Sequence, residues 1–125
     1  MTVLPREQTG EQTGEVLAGW TPVCPQERVP RNFGVAALLA GGVQVAIFRT
    51  GDDEFHGLSN VDPFSGAAVL SRGIVGDVGG VPVVASPVYK QNFVLATGRC
   101  LDDESVCLET YPVRVVDGMV EVAVR

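Results

Sequence analysis

The apolar positions of this 125-residue chain fall in short runs, each closed by a turn signal. "WTPVC" (20–24) reads as a first strand and "PQERVPRN" (25–32) as a loop with two prolines. "FGVAALLA" (33–40), the pair Gly41-Gly42 and "VQVAIF" (43–48) have the form of a hairpin. "TGDDE" (50–54) turns the chain into "FHGLSN" (55–60). "IVGDV" (74–78), Gly79-Gly80 and "VPVVAS" (81–86) make a second hairpin, and "NFVLATG" (92–98) is a strand running into a turn. The last hairpin joins "CLETYPVRVV" (107–116) to "MVEVAV" (119–124) through Asp117-Gly118, which readily supplies the positive φ angles of a type I′ turn. Only "SGAAVLSR" (65–72) admits a helical turn, and a short one. The pattern predicts an all-β fold of about eight to ten short antiparallel strands, as a small barrel or sandwich.

Ahead of these runs, residues 1–19 contain the near-duplicate "EQTGEQTGE", polar and without apolar period. They are expected to form a disordered N-terminal tail, with the domain over 20–125. Composition supports the strand reading: 46 % of residues are hydrophobic but aromatics are only 6 %, so Val and Ala supply most of the core. Nine basic residues against fifteen acidic give a net charge of −6. That balance speaks against nucleic acid or an anionic membrane as partner, because both select a basic footprint. No apolar run reaches the ~20 residues of a membrane span, and the N-terminus has no secretory pattern. Cys24, Cys100 and Cys107 are an odd set without a CxxC pair, which suits free thiols in a reducing, cytoplasmic setting.

Two segments have the form of loops that should hold something. They are "LSNVDPFSGAAVL" (58–70) and "ASPVYKQNF" (85–93). Asp62-Pro63-Phe64 and Ser86-Pro87-Val88-Tyr89 match, position for position, the C-x-H and C-x-x-H loops of the Rieske iron–sulfur fold. Asn60 before the first loop, and Phe93 and Gly98 after the second, sit where that family has its Asn, Phe and Gly. The chain therefore resembles a Rieske domain over most of residues 20–124, and an all-β Rieske-like fold is expected. At the ligands the departure is total. A Rieske centre takes two thiolates on one iron and two imidazoles on the other. Here Asp62 and Ser86 stand at the Cys positions, and Phe64 and Tyr89 at the His positions. No cluster is expected on this chain. The vacated space is expected to be filled by the Phe64 and Tyr89 rings, touching each other or Pro63 and Pro87.

A Rieske-like chain of this size without its ligands is similar to one family in particular, the small subunits of cytoplasmic, assimilatory NADH-dependent nitrite reductase. "VAIFR", "LSNVDPFSGAAVLSRGIVGD" and "VVASPVYKQNFVLATGRCLDDE" carry that resemblance. It implies a large-subunit partner with FAD, siroheme and a 4Fe-4S cluster, which reduces nitrite to ammonium. It implies no cofactor and no catalytic residue on this chain. Phe64, Arg72, Tyr89 and Lys90 are then candidate partner contacts. A cluster-less interaction module of another redox complex is the alternative reading, and a redox-active ferredoxin is opposed by the missing ligands.

Other candidate chemistry is weaker. His56 could act as acid or base, yet no nucleophile or second ligand stands beside it in sequence, so a structural role is expected. "GDVGG" and "AGGV" lack the Lys-Ser/Thr pair of a phosphate loop and read as hairpin turns. The "DDE" runs at 52–54 and 102–104 lack EF-hand spacing and read as solvated turns.

Overall fold

The computed structural model describes residues 14–124, with side chains from residue 19. The tail expected over 1–19 therefore lies mostly outside the described residues. Ten strands follow one another: β1 (Gly14–Pro25), β2 (Phe33–Leu38), β3 (Gln44–Arg49), β4 (Phe55–Ser59), β5 (Ile74–Val78), β6 (Val81–Ala85), β7 (Asn92–Val94), β8 (Thr110–Tyr111), β9 (Val113–Val116) and β10 (Met119–Ala123). Three single 3-10 turns, at Gln26–Arg28, Ala40–Gly42 and Leu70–Arg72, complete the described elements. The last of them lies within the one stretch expected to form a helical turn. No described helix is long and apolar enough to cross a membrane.

All strand pairs are antiparallel, in three sheets ordered β1-β10-β9, β2-β3-β4-β8 and β5-β6-β7. The all-β expectation holds, but among the described residues no sheet closes on itself, so the barrel half of that expectation is corrected. Closure needs a continuous staggered ladder. Here the middle sheet ends on β8, which is only two residues long.

The fold is a stack because β3 is apolar on both faces. Along "QVAIFR" side chains alternate from one face to the other. Val45 and Ile47 enter one core cluster with Val23, Cys24, Val120 and Val122 of β1 and β10. Ala46 and Phe48 enter a second, with Leu58, Val84, Phe93 and Leu95. A run buried on both sides shows no polar alternation, which is why "VAIF" (45–48) is unbroken apolar sequence after the exposed Gln44.

Turn chemistry sets the hairpin registers. Asp117 (φ 52°) and Gly118 (φ 79°) connect Val116 to its cross-strand partner Met119, and Gly79 (φ 59°) and Gly80 (φ 90°) connect Val78 to Val81. Both are two-residue turns with positive φ at both central positions, whose twist matches that of the flanking strands.

Candidate functional site

The two loops stand side by side at one end of the second core cluster. Loop 1 leaves β4 through Asn60, which is buried and held from three directions. Its N–H donates to Gln44 O (3.0 Å), its carbonyl accepts from Leu70 N (3.0 Å), and its Oδ1 accepts from Ser71 N (2.8 Å). Asn60 thus ties the root of loop 1 to the 3-10 turn that closes it. Loop 2 leaves β6 at Ala85 and returns into β7 at Asn92, and these two residues pair across the sheet.

Within each loop the hydrogen bonding repeats. In loop 1 Asp62 N–H donates to Ala67 O (2.8 Å), Asp62 O accepts from Gly66 N (2.7 Å), and the Asp62 carboxylate accepts from Phe64 N (2.8 Å). In loop 2 Ser86 N–H donates to Gln91 O (2.9 Å), Ser86 O accepts from Lys90 N (3.0 Å), and Ser86 Oγ accepts from Val88 N (3.4 Å). The first residue of each loop therefore caps its own turn with its side chain, as Asp and Ser commonly do. The fifth residue in both has positive φ: Gly66 at 76° and Lys90 at 66°.

The loops meet through their first residues. Asp62 and Ser86 are both fully buried, and Ser86 Oγ donates a hydrogen bond to the Asp62 carboxylate oxygen that Phe64 N does not use. A buried carboxylate without partners would be costly. Asp62 has none of the ion pairs found among the described residues, and its oxygens are instead satisfied by one hydroxyl and one amide.

The structure brings Asp62 and Ser86 together but separates Phe64 from Tyr89. Phe64 is half-buried and packs on the second core cluster, its ring centroid 6.2 Å from that of Phe93 at a 44° tilt. Tyr89 is 58 % exposed. The expectation that both rings fill the space between the loops is therefore corrected. The reason lies in turn position: Phe64 is third in its loop, whereas Tyr89 is fourth, equivalent by hydrogen bonding to the exposed Ser65. Arg72 and Lys90 are both exposed, on the 3-10 turn after loop 1 and on loop 2.

These loops do not fit a Rieske cluster. The four positions offer a carboxylate, a hydroxyl, a phenyl and a phenol where two thiolates and two imidazoles are needed. The carboxylate and the hydroxyl are also already bonded to each other. Among the described residues no three His, Cys, Asp or Glu side chains are grouped to hold a metal ion. Cys24 and Cys100 are buried and Cys107 exposed, all as free thiols. Burial pushes the Cys24 thiol up, against the opposing charge of Arg28, which makes it a poor nucleophile.

The other sequence candidates lie outside the two loops. His56 sits on β4 opposite Phe48, its Nε2 3.5 Å from Glu54 Oε1. A shallow depression of about 210 Å³ beside it is lined by Tyr111, whose phenol is pushed up by burial and then by the charge of Glu109, so it offers no base. The acidic runs are used within the fold. Asp53 accepts from Arg31 and Arg49, Asp102 from the backbone N–H of Asn92, and Asp103 from Ser105. Sequence reasoning missed the Asp62–Ser86 bond. The available signal was that a strong acceptor and a hydroxyl donor stand at the two equivalent loop positions.

Residues 19–123 match the family model described as Rieske-like [2Fe-2S] domain. A Mycobacterium tuberculosis chain of known structure, assigned as an NADH-dependent nitrite reductase small subunit, is 50 % identical. That match covers 85 % of this chain and 95 % of the other, with a TM-score of 0.82. The nitrite reductase (NADH) small subunit of Escherichia coli K12 is 42 % identical over 106 residues, covering 84 % of this chain and 97 % of the relative. The nitrite reductase [NAD(P)H] large subunit of Klebsiella oxytoca is 43 % identical over 101 residues. There the match covers 81 % of this chain but only 10 % of the relative, so the chain spans about a tenth of that protein.

Proposed function

The chain belongs to the Rieske-like [2Fe-2S] domain family and, within it, to the nitrite reductase (NADH) small subunits, and from that membership we propose that it serves as the non-catalytic small subunit of a cytoplasmic NADH-dependent nitrite reductase. The reaction is reduction of nitrite to ammonium in nitrate assimilation. FAD, siroheme and a 4Fe-4S cluster belong to the large subunit, and this chain carries no cofactor of its own.

The observation that carries this reading is the Asp62–Ser86 hydrogen bond. It joins the loops at the places where a Rieske protein has its two thiolates, which supports the reading of a Rieske scaffold that works without the redox centre. The Klebsiella relative supports the partner. A stretch 43 % identical to this chain lies within a protein named as the large subunit, so there the domain is covalently joined to a much larger body. Free cysteines and use of NADH both suit the reducing cytoplasm.

Co-production with the large subunit encoded in the same genome tests the proposal. The expected result is a stable complex that consumes nitrite with NADH, while the small chain alone shows no turnover. Absence of a complex, or turnover by the isolated small chain, would overturn it.

A further inference from the structure

The run "VPVVA" of β6 has no polar residue at either parity, the pattern of a strand covered on both faces. The structure covers one of them. Val75 and Val84 pair across β5 and β6 and pack on the second core cluster with Phe93. The opposite parity is open at the end of the sheet that carries loop 2. Ile74 pairs with Ala85, which pairs with Asn92, and Leu101 N–H donates to Asn92 O (2.8 Å). Ile74 is 72 % exposed and Leu101 47 %, although Val83 further along the same face is buried. Loop 2 springs from this row, since Ala85 and Asn92 are its two roots. Val88 and Tyr89, in the loop between those roots, are also exposed.

Lys90 adds an independent observation. It is the one lysine of the chain, and it holds φ 66° at the loop position where the equivalent residue is Gly66. A non-glycine side chain is disfavoured there, and backbone strain of this kind collects at functional sites. Neither Lys90 nor Arg72 takes part in an ion pair among the described residues, although the chain as a whole is acidic.

We infer that the outer end of the β5-β6-β7 sheet, with the Tyr89–Lys90 tip of loop 2, is the face that docks on the large subunit, against an apolar surface bearing a carboxylate for Lys90. The inference rests on the small-subunit reading above. It narrows the contact to one surface and takes Phe64, which turns into the core, out of it. The large subunit is favoured as occupant for two reasons. Unpaired cations suit an anionic partner, and a symmetric pairing of two copies through this same patch would set Lys90 against its own counterpart. In the Klebsiella relative, moreover, nine-tenths of the polypeptide lies outside the matched stretch and is available to cover such a face.

The test is titration of the purified large subunit onto the full chain and three variants, with melting temperature measured in parallel. Ile74→Asp puts a charge at the most exposed apolar position of the row, one too exposed for the change to unfold the sheet. Lys90→Gly removes the cation and the unfavourable φ together. Val116→Asp makes the same apolar-to-acidic change at an exposed valine on β9, in another sheet. Ile74→Asp and Lys90→Gly are each expected to weaken binding about tenfold or more, and Val116→Asp to stay within about twofold. Lys90→Gly should melt at or above the parent temperature. Parent-like binding by both variants would place the interface elsewhere and overturn the inference alone. A parent chain that binds no large subunit would overturn the small-subunit reading beneath it. Lys90→Gly melting below the parent would contradict the strain argument. Self-association of the parent, lost in Ile74→Asp, would make a second copy the occupant and also count against the inference.

Discussion

Ser86 Oγ has one hydrogen to donate, and the buried Asp62 carboxylate accepts it across the interval between two loops. The same carboxylate caps its own turn through Phe64 N. Asp62→Ala would therefore leave a buried hydroxyl and a buried-side amide without their acceptor, at a cost of about 2–3 kcal/mol. Ser86→Ala removes a single donor. In a double-mutant cycle on unfolding free energy the pair should show coupling of about 1.5–3 kcal/mol, the range for hydrogen bonds to charged groups. Coupling under about 0.5 kcal/mol would mean that the loops are held by packing alone. The loss of all four ligands is legible in the sequence, residue by residue. The bond that replaces them is less so, because it joins positions 24 residues apart and depends on how the two loop roots are aligned. The outward turn of Tyr89 was hidden for a similar reason: aligning it with an imidazole position gives its place in the motif, not its place in the turn.

Among the elements, those bounded by local turn chemistry were the easiest to read. Asp117-Gly118 and Gly79-Gly80 each demand a two-residue turn, and both hairpins form at those positions. Contacts between elements were not legible, and the β3–β4 connection is the clearest case. Asp53, at φ 65°, accepts hydrogen bonds from Arg31 (2.7 Å) and from Arg49 (3.0 Å), clamping the approach to β2 onto the turn after β3. Only Arg49 is near it in sequence. The hydrogen bond from Arg31, and more weakly Arg49, hold the Asp53 carboxyl below its ordinary value despite some opposing desolvation. A carboxyl depressed in the folded state stabilises the fold above its unfolded-state pKa, and that contribution is lost as pH falls through the folded-state value. Asp53→Asn keeps a residue suited to positive φ and removes the charge. It should lower the melting temperature at neutral pH by a few degrees at most, since the group is exposed. The gap from the parent should close in acid, below the usual carboxylate range. A gap that persists there would assign the effect to backbone conformation and not to charge.

At the scale of the whole molecule, three sheets stack around two cores, with β3 feeding both. The all-β class was legible because the turn signals recur throughout the chain, whereas sheet order and the absence of closure depend on pairings between distant strands. The unbroken apolar run in β6 did carry a signal of cover on both faces, and one of those faces is open at its end, around Ile74 and Leu101. The stack ends in two loops that a Rieske protein would join by iron and that this chain joins by a hydrogen bond between Ser86 and Asp62. The most direct test is the iron and acid-labile sulfide content of the full chain, produced anaerobically with iron and sulfide in excess, together with its visible spectrum. The expected result is a colourless protein with no stoichiometric iron. About two irons and two sulfides per chain, with the absorption bands of a [2Fe-2S] centre, would contradict it.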